Sequence, residues 1–252
     1  MALAVELKAG ICEIYTDVDG VFAANPNIVR GAKKIRSISP EMMVKMFKAG
    51  AKVMMGRSVR IGQDFNMPIR VMLSPSFGQT DGGTLISRQS REAIENMDAS
   101  ASASLGIKEV SAVTISNIPN RPGIAAEIFF AIKANIIETV QPLSDSCATI
   151  TIYLDTRNLG RVMENLEHLK TSNGKLEDIS IAGFPDLAAL TLIDERMVDG
   201  QGYAQAMFQC LADRGINISS IYTAEENLGV IIEKGSLQSA AEAIAEKFGL
   251  VE

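Results

Sequence analysis

The feature that most restricts what this chain can fold into is an internal duplication beyond residue 105. VTISNIPNRPGIAAEIFFAIKANIIETVQ (113–141) and ALTLIDERMVDGQGYAQAMFQCLADRGINISSIY (189–222) share one plan. Each opens with a β-type run and passes through a glycine-containing loop, Pro122-Gly123 or Gln201-Gly202. Each then enters a helix marked by Ile128, Phe129 and Ile132 or by Met207, Phe208 and Leu211. An apolar strand follows, IIETV or INISSIY, and then a third, ATITIYL (148–154) or LGVIIE (228–233). The second helix of each copy carries one apolar stripe at helical period: Leu159, Val162, Met163, Leu166 and Leu169, or Leu237, Ala240, Ala241, Ile244 and Phe248. The pattern predicts two tandem βαββαβ units of ferredoxin-like, α+β plan, each an antiparallel sheet with both helices on one face.

The polar stretch NGKLEDIS (173–180) is the expected join between copies, which gives units at 105–172 and 173–252. SREAIENMDASASAS (90–104), rich in Ser and Ala, reads as a linker or an edge strand, and the domain boundary is placed at 89–104. In the first copy, Pro122 suits a first helical turn and Gly123 lets a ligand approach the backbone. Unpaired N–H groups at such a helix start suit a small carboxylate, although a plain strand-to-helix turn uses the same residues.

Residues 1–88 read as α/β. The expected order is a strand at 11–15, an Asp-rich turn, a helix near 39–49, a strand at Lys52–Met55 and a helical piece at Ser58–Phe65. A buried strand, MPIRVML, is entered through Pro68, and GGTLIS (82–87) fits an edge. This is small for a nucleotide-handling α/β domain and reads as the back half of one. Asp17 and Asp19 stand at i and i+2, which in an extended stretch puts both carboxylates on one face, fit for Mg²⁺ or ribose hydroxyls. Asp-x-Asp-Gly is equally ordinary turn chemistry. The chain contains neither a P-loop pattern nor GxGxxG.

Net charge −6 and pI near 5.0 leave no broad cationic surface for a nucleic-acid backbone. Cys12, Cys147 and Cys210 are odd in number and far apart, which argues against a disulfide framework or a CxxC metal pair. His168, the only histidine, excludes a His-based zinc cluster. Glu6 and Lys8 interrupt the first apolar stretch and no apolar run approaches a membrane span, so a cytoplasmic location is expected.

CEIYTDVDGVFAANP, then GAKVMMGRSV, then MPIRVMLSPSF and GTLIS, followed by the two loop-helix units, resemble the C-terminal two thirds of the aspartokinase family with its paired ACT regulatory domains. The resemblance implies a partial α/β kinase-domain segment followed by two ACT units. It places Thr16, Asp17, Asp19, Phe22, Asn25, Asn27 and Lys52 beside the ATP site, with ATP and Mg as cofactors of the kinase remnant. It implies an amino-acid effector, lysine or threonine, held between the ACT units. The effector positions would be Asn120, Arg121, Pro122, Gly123, Ile124, Ala125 and Gln141 in the first copy. Tyr203, Ala204, Asn217, Ile218, Thr223, Ala224 and Glu225 would complete them in the second.

The sequence departs from the family pattern at several points. Asn25 stands for a carboxylate and Asn27 for an arginine, Asn120 for an Asp common in the family, and Asp-Gly-Gln-Gly at 199–202 for His-Pro-Gly. The family's Lys-Phe-Gly-Gly opening, with its catalytic lysine, is not in this sequence, so no kinase activity is expected from this chain alone. The resemblance thus implies the regulatory and partial nucleotide-site portion of an aspartokinase, working with a kinase half and self-associating through its ACT units. A free-standing, non-catalytic ACT-type amino-acid-binding protein is the alternative.

Overall fold

The computed structural model describes residues 1–51, 53–78, 82–88, 103–141, 147–198, 202–224 and 226–252. The chain divides into two compact units, one of Met1–Ile107, Leu190–Ile231 and Ser236–Glu252, the other of Lys108–Ala189 and Ile232–Gly235. Most of the proposed linker, residues 89–102, lies outside the described residues.

The first unit begins with helix α1 (Ala2–Glu6) and strand β1 (Cys12–Thr16), followed by β2 (Val21–Phe22), β3 (Lys34–Ile35) and β4 (Ser37–Ile38). Helices α2 (Pro40–Ala49) and α3 (Gly56–Asp64) lead to β5 (Ile69–Leu73) and β6 (Thr84–Ile86). Helix α2 starts where Ser39 accepts a hydrogen bond from the Met42 N–H at 3.1 Å, with Pro40 in the first turn, and it ends at Gly50. Its buried face is Met42, Met43 and Met46.

The sheet order is β1-β5-β6-β4. Strand β1 runs parallel to β5 from Cys12 opposite Ile69 to Thr16 opposite Leu73, while β6 is antiparallel to β5. GGTLIS is therefore not at an edge, because β6 lies between β5 and β4 with Thr84 and Ile86 buried. A hydroxyl is tolerated there because it is satisfied: Thr84 Oγ1 accepts from the Val21 N–H at 2.7 Å and donates to the Ile35 carbonyl at 2.5 Å. The strand expected at Lys52–Met55 is also corrected. Lys52 lies outside the described residues, Val53 and Met54 form a bend, and Met55 is the N-cap of α3, so Val53–Met55 leads into a helix instead of forming a strand.

Strand β7 (Ala103–Pro119) enters the second unit, where α4 (Ile124–Ile132), β8 (Ile136–Val140), β9 (Cys147–Asp155) and α5 (Leu159–Ser172) follow. Strand β9 is the centre of an antiparallel trio, pairing with β7 on one side and β8 on the other. Thr114 and Thr151 share a hydroxyl hydrogen bond of 3.0 Å directly across that ladder. Both helices cover one face: Val113 and Ile115, Ile128 and Ile132, Ile150 and Ile152, Val162 and Leu166 form a single core. His168, two residues beyond Leu166, is exposed.

Strand β10 (Ser180–Asp194) is followed by α6 (Tyr203–Asp213), β11 (Ser220–Ala224), β12 (Asn227–Glu233) and α7 (Leu237–Lys247), so the β-α-β-β-α order of the first copy recurs. From Leu190 onward this copy, apart from Ile232–Gly235, belongs to the first unit. There α6 packs on α7 and β11 forms a tight hairpin with β12 from Ser220 opposite Ile231 to Ala224 opposite Asn227. The fold is the mixed α/β and α+β architecture that the periodicity predicts. Among the described residues no helix is long and apolar enough to cross a membrane.

Leu166 is fully buried, so Leu166→Ala should lower stability by about 2–5 kcal/mol, whereas His168→Ala should stay within about 0.5 kcal/mol, both read by urea denaturation. At the end of β9, a hydrogen bond from the Arg157 guanidinium lowers the Asp155 pKa from 3.8 to about 2. A carboxylate held below its ordinary value contributes stability that is present above 3.8 and disappears as pH falls through about 2. Asp155→Asn should therefore flatten the pH dependence of stability in that interval, measured by denaturation across the acid range.

Candidate functional site

Two places concentrate the residues singled out by sequence, both within the first unit. One is the carboxyl end of the parallel pair β1 and β5, the position where open α/β sheets present ligands to loop groups. Strand β1 stops at Thr16, and residues 17–20 form a bend, so the extended geometry that would align Asp17 with Asp19 is absent. Thr16 Oγ1 donates to Asp17 Oδ1 at 2.9 Å, while Asp19 is paired with Lys34 at 2.6 Å. Asp17 and Asp19 are both exposed. Ser74, just beyond β5, donates to the Thr16 carbonyl at 2.9 Å and ties the two strand ends together.

Gly20 closes the bend. Its φ of +100° lies in the left-handed region, and a Cβ there would sit 2.6 Å from Thr84 Oγ1, so the residue before β2 has to be glycine. Phe22 is half-buried in β2, and the following loop holds Asn25 and Asn27, both exposed. Asn25 caps one turn: its side chain accepts from the Asn27 N–H at 3.0 Å and its carbonyl accepts from Ile28 and Val29. A carboxylate at Asn25 would accept the same bond, so the departure from the family pattern leaves this turn unchanged. Lys52 lies outside the described residues.

The second place is the start of α6. Gly202, at φ +94°, is its N-cap and no side chain caps the helix. The first intrahelical bond is donated by Ala206 to the Gly202 carbonyl at 2.9 Å, so the N–H groups of residues 203–205 have no partner within the helix. The first two of these residues adjoin a cavity of about 280 Å³ lined by Met197, Gly202, Tyr203, Ala204, Thr223, Ala224, Asn227 and Leu228. Four expected effector residues, Tyr203, Ala204, Thr223 and Ala224, come together here. Asn217 and Ile218 lie in the connection from α6 to β11, outside this lining, and Glu225 lies outside the described residues.

Sequence reasoning missed Asn227, a cavity-lining residue whose Oδ1 is buried without a hydrogen-bond partner, and it missed the support behind Tyr203. The Asp194 carboxylate, with its side chain 1% exposed, accepts from the Arg196 guanidinium at 2.8 and 3.0 Å and from the Arg196 N–H at 2.9 Å. Tyr203 OH adds a fourth bond at 3.1 Å. Burial and this carboxylate push the Tyr203 phenol up. On its other side, the Tyr203 ring stacks on Phe248 with centroids 5.8 Å apart. Asp-x-Arg at a strand end occurs twice, at Asp155-Thr156-Arg157 and Asp194-Glu195-Arg196, and that recurrence was the available signal. The hairpin beside the cavity is also tied to α2 by an ion pair between Lys45 and Glu226.

In the second unit, α4 also starts from an uncapped glycine, Gly123, again at φ +94°. Pro122 precedes the helix instead of entering its first turn, because Gly123 occupies the cap. Asn120, Arg121, Pro122 and Ala125 are exposed, as is Gln141 just beyond β8, whereas the Ile124 side chain belongs to the core.

Residues 1–72 match the family model of the amino acid kinase family and residues 190–248 match that of the ACT domain. The chain thus carries a kinase-fold segment followed by an ACT domain. It is 34% identical over 257 residues to an aspartokinase of Mycolicibacterium smegmatis, covering 99% of this chain and 59% of that protein. The likeness to that aspartokinase runs along nearly the whole of this chain, which spans about 59% of the length of that relative.

Solved structures agree on the fold. Clostridium acetobutylicum aspartate kinase superposes over 98% of this chain and 56% of its own, with a TM-score of 0.80 at 21% identity. Aspartokinase III of E. coli in complex with lysine and aspartate covers 99% and 54%, with a TM-score of 0.69 at 21% identity. The regulatory subunit of Thermus thermophilus aspartate kinase covers 57% of this chain and 96% of its own, with a TM-score of 0.52 at 23% identity.

Gly20→Ala should destabilise the protein by about 1–3 kcal/mol through the left-handed backbone and the collision with Thr84, measured as a lowered denaturation midpoint.

Proposed function

We propose that this chain is the amino-acid-sensing and nucleotide-bordering portion of an aspartokinase, which phosphorylates aspartate with ATP under feedback control. The observation that carries the reading is the cavity at the start of α6. Uncapped N–H groups there offer a place for a carboxylate, and the unpartnered Asn227 Oδ1 offers an acceptor for an ammonium, the two charged ends of an α-amino acid. Lysine or threonine is the effector class, and the lysine present in the E. coli neighbour supports it. Phosphoryl transfer falls to a kinase half, in the same or another chain. The ends of β1 and β5, with Thr16 and Asp17, border ATP–Mg in this reading. The protein acts in the cytoplasm and pairs with a second copy through its ACT units, whose sheet edges need cover.

A second reading, a free-standing ACT-type amino-acid-binding regulator without kinase function, draws on Asn25 and Asn27. Both stand exposed in the nucleotide-matching loop where the family has a carboxylate and an arginine. ATP–Mg separates the two readings, because the first expects it to bind and the second does not.

Isothermal titration calorimetry of the purified chain with L-lysine and with L-threonine tests the sensing function. One of them should bind, and Asn227→Leu should weaken that binding by about tenfold or more by removing the only buried unpartnered acceptor among the described cavity residues. Absence of binding by both amino acids would defeat the proposal.

A further inference from the structure

The two candidate places are joined within the first unit by a short run of contacts, and the loop carrying Asn25 and Asn27 is at one end of it. That loop is closed at its neck by the Ala23 N–H donating to the Lys33 carbonyl at 2.8 Å. The other face of the neck belongs to the segment after α7. The Lys33 N–H donates to the Leu250 carbonyl at 2.8 Å, the Glu252 N–H donates to the Gly31 carbonyl at 2.9 Å, and Ala32 and Val251 form an antiparallel bridge. Leu250 is buried and its N–H returns to the Ala245 carbonyl at 2.8 Å, which fixes the bridge to the last turn of α7. That turn ends at Phe248, whose N–H donates to Ile244 at 3.0 Å and whose ring stacks on Tyr203, a wall of the cavity.

We infer that the Tyr203–Phe248 stack and the segment Leu250–Glu252 position the loop between Ala23 and Lys33, so that the state of the α6 cavity and the state of the nucleotide-bordering loop are coupled. The functional labels of the two ends rest on the reading proposed above, but the mechanical link does not. Each step is a packed ring or a backbone hydrogen bond between ordered elements, and a displacement of Tyr203 is passed through Phe248 to Leu250–Glu252, which is bonded to the loop neck. Such coupling is reciprocal, because a change at either end alters the free energy of the other. Phe248 and Glu252 touch neither candidate ligand and act only through others, as positioning residues.

Hydrogen–deuterium exchange of the purified chain reads both ends with no ligand present. Phe248→Ala should raise amide exchange in residues 23–33 by about tenfold or more while β1 and β5 keep wild-type rates, and Phe248→Tyr, which retains a stackable ring, should restore protection. From the opposite end, Glu252→Pro removes one donor of the bridge without touching a cavity residue, and it should raise exchange in the first two turns of α6. Wild-type rates in residues 23–33 of Phe248→Ala would overturn the inference, as would equal loosening of β1 and β5, which would mark general destabilisation. If Phe248→Ala does not fold, Glu252→Pro decides alone, and an unchanged α6 refutes the link. Should both variants behave as expected while L-lysine and L-threonine fail to bind, the sensing function falls and the positioning role stands.

Discussion

The Asp194 carboxylate is the interaction on which the candidate effector site depends. A carboxylate removed from water is tolerated only when its acceptor positions are filled, and here Arg196 supplies three donors and Tyr203 a fourth. The cluster holds the first residue of α6 from one side while Phe248 holds its ring from the other. Tyr203 is therefore a fixed wall, and the uncapped amides beside it are presented in a constant orientation. The guanidinium neutralises Asp194, and in the proposed sensing function the ammonium of an amino acid is left to the neutral oxygen of Asn227.

The nucleotide-matching end is built by a different rule. Here the shaping is done by a left-handed glycine and by two side chains that bond main-chain groups: a buried threonine hydroxyl shared between two chain segments, and an asparagine that caps a single turn. The side chains that the family resemblance puts next to ATP, Thr16 and Asp17, bond to each other at the strand end, and Asp19 is neutralised by Lys34.

Much of this architecture was legible in the sequence because burial follows period. The stripe through Val162 and Leu166, the strands around Ile150 and Ile231, and the repeated loop-helix starts all appear where apolar spacing puts them. The two misread strands share a cause, which is that short apolar runs beside glycine carry no period. Val53–Met55 reads like a strand but adjoins a helix cap, and Thr84–Ile86 reads like an edge strand until Thr84's two hydrogen-bond partners, distant in sequence, are known. Asn227 was invisible for a related reason, since whether a buried oxygen is satisfied depends on its three-dimensional neighbours alone. The Asp-x-Arg pair was visible, but only as a recurrence whose meaning needed the fold.

The two copies begin their helices from glycines with the same φ of 94°, although the residues preceding those glycines differ. What the duplication has kept is a backbone shape, and a main-chain amide carries no information about which side chain a visitor bears. A molecule gripped only by those amides would be accepted by either copy alike. If the proposed sensing function holds, discrimination between metabolites has to arise from the walls around each helix start, because the amides themselves offer both copies the same attachment.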